Sequence, residues 1–294
     1  MYRRSELCQE ETSFASLSGK FLAEPIFSFP QLLGSLEGKR ATMDQQQKQT
    51  IVTESIPTFL AASRDQELIA LDVHRSLLTS LDRLNAAFDN IPSVAIAGRA
   101  LPPLLLSQAH SAFLGAVRMS LAGQVHVAYM ALRGCIESAL YAFIMKQQPS
   151  SQEAWVNRKT NRSLCRNIFN ANQILPLLKE IDPPLGQVVE EIYETTIDRG
   201  AHPNVLSLGS HLDFDGWDAE NRLSNILLLP ATNTVVEAAL SGCLVAGAAV
   251  ASLSMHVMPD HAPAVAAHKE AMEVIGLHIG RAPRLGRVPI NLVA

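Results

Sequence analysis

The sequence predicts an all-α protein, a bundle of about seven to nine helices, and two observations support this fold class. Hydrophobic residues make up 48% of the 294 residues but aromatic residues only 5%, so Ala and Leu supply most of the apolar content. Ala and Leu favour helices, whereas the β-branched and aromatic runs that favour strands are few. Apolar residues also recur at helical spacings, without an alternating strand pattern. One helical domain is therefore expected at residues 49–278.

The two ends of the chain differ from this domain. Residues 1–48 show no sustained period, which predicts a poorly ordered tail. One hypothesis is that Met43, and not Met1, is the true start of the protein. Residues 279–294 contain three arginines separated by Pro and Gly residues. This composition predicts a flexible basic tail.

The first helical segment carries leucines spaced by three, four and seven residues, which predicts one continuous apolar stripe. These leucines are Leu68, Leu71, Leu78, Leu81 and Leu84. Prolines then interrupt the period, and a long helix is predicted over residues 104–146, kinked near Gly115 or Gly123. A short basic segment follows, EAWVNRKTNRSLCRNIFN, at residues 153–170.

The second half of the chain is also predicted to be helical. The segment LGQVVEEIYETTIDRG predicts a helix capped by Gly200, with Arg199 near its negative dipole end. After a Gly/Asp turn, two apolar helices are expected, split near Pro230. A last helix is expected from about Pro263.

The most apolar window, residues 238–255, is long enough to cross a membrane. It is rich in Ala, Gly and Ser, follows Glu237 and lacks Trp or Tyr anchors, which favours a central bundle helix over a membrane span. No membrane association is therefore expected. The four cysteines form no CxxC pair, and this favours reduced thiols in a cytoplasmic protein.

The net charge of −4 argues against a strongly basic nucleic-acid binder, although it leaves room for a local basic patch. The sequence contains no Walker A or GxGxxG motif, and no cofactor is predicted. It also lacks the GxSxG motif of serine nucleophiles, which argues against nucleophilic catalysis.

The segment RGAHPNVLSLGSH, residues 199–211, is the first candidate site. His202 precedes a proline and is pushed out of the helical region, while Pro203 suits the first turn of a new helix. An imidazole at such a junction can act as a general base or bind an anion, with Asn204 beside it. The alternative is that His202 only fills a corner between helices and Asn204 only bonds nearby backbone.

The second candidate site lies on the long helix, in HVAYMALRGCIESALYAF. Arg133 and Glu137 are four residues apart on one helical face, and His126 lies two turns earlier on a similar face. In one interpretation Arg133 binds a phosphate or carboxylate and Glu137 orients it. In the other, the two form a partly buried ion pair that fixes helix register.

A third candidate is a metal site. His211, Asp213 and Asp215 are close in sequence, and His202, or a later histidine such as His256 or His261, could complete a set of N/O ligands. However, His-x-Asp-x-Asp is not a dependable metal signature, and turns favour aspartate, so the pattern is more typical of loop structure. His261 and His268, seven residues apart, are interpreted as solvated side chains of the last helix.

The Arg-x3-Glu pair in RGCIE and the later His-Pro segment AHPN together resemble bacterial all-helical families of unknown function. Some of these are considered distant relatives of the HEPN nucleases, which are linked to toxin–antitoxin and phage-defence systems. The resemblance covers roughly residues 65–255. The HEPN nuclease motif is an Arg followed by a His with four to six residues between, and none of the nine histidines here has that spacing. The resemblance therefore implies the helical fold and a non-catalytic or divergent member.

The sequence thus predicts a cytoplasmic binding or regulatory module, linked through the resemblance to defence or stress response. A homodimer and a protein or RNA partner are expected. One alternative is a divergent ribonuclease that uses His202 as base with Arg133 or Arg199 on the phosphate. The other is a metal-dependent hydrolase built on His202, His211 and Asp213.

Overall fold

A computed structural model describes the helical domain and leaves both predicted tails, apart from Ile279, outside the described residues. The described residues are 55–91, 101–201, 212–213, 225–226, 229 and 233–279. The first four helices are α1 (Ile56–Val73), α2 (Arg75–Asp89), α3 (Leu101–Leu121) and α4 (Val125–Gln147). Next come the short helices α5 (Ser151–Val156), α6 (Arg162–Ile168), α7 (Ala171–Ile181) and α8 (Pro183–Thr196). The last two are α9 (Asn233–Val257) and α10 (Ala262–Ile279).

These helices form the all-α bundle that the sequence predicts. Counted with α1 and α2 as one bent helix, the described part of the chain holds nine α-helices. Helix α9 is central, because it packs against α2, α3, α4, α8 and α10. Its small residues allow close contact: a Cβ built at Gly247 would lie 2.7 Å from the Phe113 ring on α3. The prediction of a small-residue central helix is confirmed.

Helix α4 is the second buried element and carries the Arg133 site. It packs most extensively against α3 and α9 and also contacts α8. The break between α3 and α4 falls at Gly123, whose φ of 76° lies in the left-handed region that glycine tolerates. The predicted kink is therefore a complete break at Gly123, while Gly115 lies inside α3.

The predicted leucine stripe is wrong for α1. Leu81 and Leu84 are buried in α2, but Leu68 and Leu71 are 59% and 41% exposed. The two helices meet at His74, whose φ of −104° and ψ of 28° depart from helical values. This departure shifts the phase of the apolar face, so leucines at helical spacing across His74 do not share one side.

The predicted glycine cap of α8 is also wrong. Helix α8 passes at Thr196 into a π-helical turn, Ile197–Ala201, which contains both Arg199 and Gly200. Gly123 is the one positive-φ glycine among the described residues, so Gly200 does not adopt the left-handed conformation of a helix cap. Its role is close approach: a Cβ there would lie 2.5 Å from Tyr129 Cβ and 2.8 Å from the His126 carbonyl oxygen.

The apolar segment before Pro230 is predicted to be helical, but it contains a short strand. Asn225–Ile226 pairs antiparallel with Leu212–Asp213 in a two-residue ladder, with Leu212 opposite Ile226. Asp213 therefore lies in this ladder. Its proposed metal-ligand neighbours His202 and His211 lie outside the described residues.

Two helices are long and apolar enough to cross a membrane by length and composition, α4 and α9, with mean hydropathies of 1.3 and 1.8. Inside the bundle, 61% and 78% of their most apolar windows are buried. Buried helices of this kind occur in the cores of soluble proteins, and the location of this protein remains a prediction.

Candidate functional site

The Arg133 site of α4 is a three-residue cluster. The Arg133 Nε donates to Glu137 Oε1 at 2.9 Å, one helical turn along α4. Tyr193, which α8 brings alongside, accepts from Arg133 Nη2 at 3.3 Å and donates to the same Glu137 oxygen at 3.2 Å. The guanidinium carbon also lies 5.4 Å from the centre of the Tyr193 ring. Each of the three side chains therefore contacts both others.

The electrostatics of this cluster favour a charged Arg133 and a neutral Tyr193. The side chains of Arg133 and Glu137 are 27% and 30% exposed. Burial alone would lower the pKa of Arg133, but the hydrogen bond with Glu137 and the interactions with Tyr193 hold it above its ordinary value. Burial and the nearby Glu137 raise the pKa of Tyr193. The guanidinium therefore stays charged and the phenol neutral, as expected for an ion pair that holds α4 and α8 together.

Of the other predicted site residues, the structure describes Arg199 and His126. The π-helical turn packs against α4 at His126 and Met130, and the Arg199 guanidinium carbon lies 5.9 Å from the centre of the Tyr129 ring. Arg199 therefore lies beside the N-terminal half of α4, the half that contains His126, and Arg133 follows His126 two turns later along the helix. His202 and Asn204 lie outside the described residues, so a shared site of His202 with Arg133 and Glu137 stays a prediction.

No metal-binding cluster of three His, Cys, Asp or Glu side chains occurs among the residues that the structure describes. Instead, two of the later histidines bind partners within the bundle. The His256 Nε2 lies 2.8 Å from Asp182 Oδ2, and His268 Nδ1 lies 3.1 Å from the Ser252 hydroxyl. The interpretation of His268 as a simply solvated side chain is therefore wrong.

Asp182 has two structural roles at this junction. Its Oδ1 accepts from the Leu185 N–H and caps helix α8, while its Oδ2 faces His256 of α9. Burial opposes ionisation, but the hydrogen bonds from His256 and from the Leu185 N–H together lower the pKa of Asp182. Asp182 therefore ties the start of α8 to the central helix.

A pocket of about 360 Å³ lies at the other end of α4, where α5 and α6 meet it. It is lined by three aromatic residues, four basic residues and one thiol. These are Tyr141, Trp155, Arg158, Lys159, Arg162, Cys165, Arg166 and Phe169. A pocket with an aromatic floor and a basic rim suits a ligand that combines flat rings with negative charge.

The floor of the pocket is a cluster of three mutually contacting rings. The centroid of Trp155 lies 5.3 Å from that of Tyr141 and 4.8 Å from that of Phe169, while Tyr141 and Phe169 are 5.1 Å apart. The interplanar angles of 59° to 72° make these edge contacts, a favourable arrangement of aromatic rings. Phe169 is buried and Trp155 half-buried, so part of the Trp155 ring remains accessible.

The rim of the pocket is an exposed basic cluster. Arg158, Lys159, Arg162 and Arg166 are all exposed and lie within nine residues of sequence. Within the described ranges, none of the four has a carboxylate partner, whereas Arg75 and Arg83 do. Local charge is thus strongly positive on a chain whose net charge is −4.

The backbone that carries these cations is held by local hydrogen bonds. Asn161 caps α6, because its side-chain oxygen accepts from the Leu164 N–H at 3.1 Å. The Thr160 hydroxyl donates to the Asn157 carbonyl at 2.8 Å and closes the preceding turn. Arg162 and Arg166 are one helical turn apart on α6, which places them side by side.

Sequence reasoning identified this segment only as short and basic. The signal that points to the pocket is the interleaving of Trp155 and Phe169 with four cations, a pattern typical of nucleic-acid binding surfaces. Likewise, Tyr193 was missed as the third member of the Arg133 cluster, because nothing in the sequence places α8 beside α4.

Comparison of the chain with protein-family models, with curated proteins and with solved structures finds no match.

Proposed function

We propose that this protein is a non-catalytic binding module for nucleic acid and that its binding site is the basic aromatic pocket of α4, α5 and α6. One observation carries the proposal: four exposed cations, none paired with a carboxylate of the described residues, surround a floor of three aromatic rings. Phosphates supply the negative charge that such a rim attracts, and bases supply the flat rings that such a floor accepts.

The arrangement of the Arg133 cluster supports a binding module over a ribonuclease. A catalytic arginine must reach the transferring phosphate, but this guanidinium is engaged by Glu137 and Tyr193. The divergent ribonuclease that uses His202 with Arg133 or Arg199 remains the alternative. The cytoplasmic location, the homodimer and the link to defence or stress response remain predictions.

Binding of a labelled single-stranded oligonucleotide of twelve uridines, followed by fluorescence anisotropy at 50 mM salt, tests the proposal. We expect Arg162→Gln/Arg166→Gln to weaken binding about tenfold or more, because two phosphate contacts are lost. The matched control is Arg64→Gln/Lys269→Gln, which removes two exposed cations from α1 and α10 and should leave the affinity unchanged. Thermal melts should coincide for all three proteins, since these side chains are exposed.

Two results would count against the proposal. Equal weakening by both double variants would mean that binding depends on overall charge and not on the pocket. Shortened oligonucleotide products that disappear in Arg133→Gln and in His202→Ala, each still folded, would favour the ribonuclease.

A further inference from the structure

The Trp155 ring is covered by the protein's own Arg158. The Arg158 guanidinium carbon lies 5.1 Å from the centre of the Trp155 ring, in the position of a cation–π contact. Tyr141 and Phe169 approach Trp155 at steep angles, so they leave a ring face for this contact. Arg158 is exposed and has no carboxylate partner among the ion pairs of the described residues.

We infer, on the basis of the proposed function, that the ligand is single-stranded and that one of its bases stacks on Trp155 in place of Arg158. The displaced guanidinium then pairs with the phosphate next to that base. Arg158 thus occupies the ring face until a base displaces it, and Trp155 is the residue that binds the base.

The relative strengths of the two contacts favour the exchange. An exposed cation–π contact favours the covered state of the ring by about two- to fivefold, whereas a base stacked on an aromatic side chain raises affinity by about 5- to 150-fold. The freed guanidinium also gains a charge-assisted hydrogen bond to phosphate. A base therefore displaces Arg158 with a net gain.

The same geometry selects against duplexes. In a duplex each base is stacked between its neighbours and paired, so a base reaches Trp155 only if it leaves the stack. In a single strand the base is free to turn into the pocket, while Arg162 and Arg166 lie beside it for the flanking phosphates.

The test uses the full chain with Trp217→Phe, so that Trp155 is the sole tryptophan of the two in the sequence. Tryptophan fluorescence and anisotropy are followed with twelve-residue oligouridine, oligodeoxyuridine, an abasic strand of equal length and a duplex. We expect both uridine strands to quench Trp155 and to bind about 5- to 150-fold more tightly than the abasic strand. The ratio of the two uridine strands gives the preference for RNA or DNA.

Variants then separate stacking from charge. Trp155→Leu should bring the uridine strands to the affinity of the abasic strand, while Trp155→Phe, which keeps a ring in the cluster, should retain much of the difference. Arg158→Gln should leave the preference for bases intact and weaken the salt dependence of binding. A melt of each variant shows that it is folded.

The outcomes distinguish this inference from the function on which it rests. Equal, salt-dependent binding of the uridine and abasic strands would overturn base stacking and leave nucleic-acid binding in place. Tighter binding of the duplex would also overturn it. Absence of binding by every strand would refute the proposed function itself.

Discussion

Replacement of Gly200 by Ala tests how the π-helical turn docks on α4. Gly200 is buried, and an added Cβ would meet Tyr129 Cβ at 2.5 Å, the His126 carbonyl oxygen at 2.8 Å and the Met130 nitrogen at 3.0 Å. The first of these distances is about 1 Å short of ordinary contact at 3.4 Å. Two of the three atoms are backbone and the third is a Cβ, so no side-chain rotation relieves the clash and the turn must move.

The expected cost is about 1–3 kcal/mol of the free energy of unfolding, the usual range for overpacking of a buried contact. It outweighs the gain of roughly 0.5–1 kcal/mol that Ala brings when it replaces a helical glycine without strain. The matched control is Gly134→Ala on α4, where a Cβ meets nothing within 4 Å, and this variant should be stabilised by that smaller amount.

Urea denaturation at pH 7.5, with equal slopes for all proteins, measures both changes. Opposite signs for Gly200→Ala and Gly134→Ala are expected. If Gly200→Ala is as stable as the parent, or gains as much as Gly134→Ala, the close approach of the turn to α4 is wrong.

Three further changes test other contacts. Tyr193→Phe keeps the ring but removes the hydroxyl that joins Arg133 to Glu137. The free energy of unfolding, measured by urea denaturation, should fall by about 1 kcal/mol. No loss would mean that the hydroxyl is not part of the cluster. Asp182→Ala should lower the free energy of unfolding by about 1–3 kcal/mol. Asp182→Asn should lower it less, because Asn keeps an oxygen that can cap α8. Equal losses would contradict the capping role. Burial lowers the pKa of His74 below 6.5, so the unfolded chain binds the proton more readily and stability should fall as pH drops through 6.5. His74→Gln should reduce the fall of the unfolding free energy between pH 7.5 and 5.5, while His110, whose pKa is also lowered by burial, keeps part of it. An unchanged slope would contradict the burial of His74.

The sequence predicts the helices well where the signal is local. The start of α10 near Pro263 and the small-residue central helix α9 follow from residues next to each other in the chain. Glycine also marks the interruption at Gly123, but the sequence predicts only a kink there or at Gly115, and not two helices. The leucine stripe fails at Leu68 and Leu71, because a single non-helical residue, His74, changes which side of the helix faces the core. The spacing of apolar residues does not reveal a single non-helical residue of this kind.

The candidate sites depend on contacts between distant residues, and here the sequence is less informative. Arg133 and Glu137 could be paired because they are one helical turn apart, but Tyr193 joins them from 56 residues beyond Glu137. The pocket also needs Tyr141, Trp155 and Phe169 from three separate segments. Only the tertiary packing of α4, α5 and α6 turns a basic segment into a basic aromatic pocket.

The salt dependence of oligouridine binding is the most direct test of the account, because it counts the phosphates that the pocket engages. If all four rim cations contact phosphates, the logarithm of the binding constant should fall with the logarithm of salt concentration with a slope of about −2.8. Arg162→Gln should reduce the slope by about 0.7, and Arg118→Gln, an exposed cation on α3, should not change it. A slope that responds equally to both substitutions, or no binding at the lowest salt concentration, would contradict the assignment of this pocket as a nucleic-acid site.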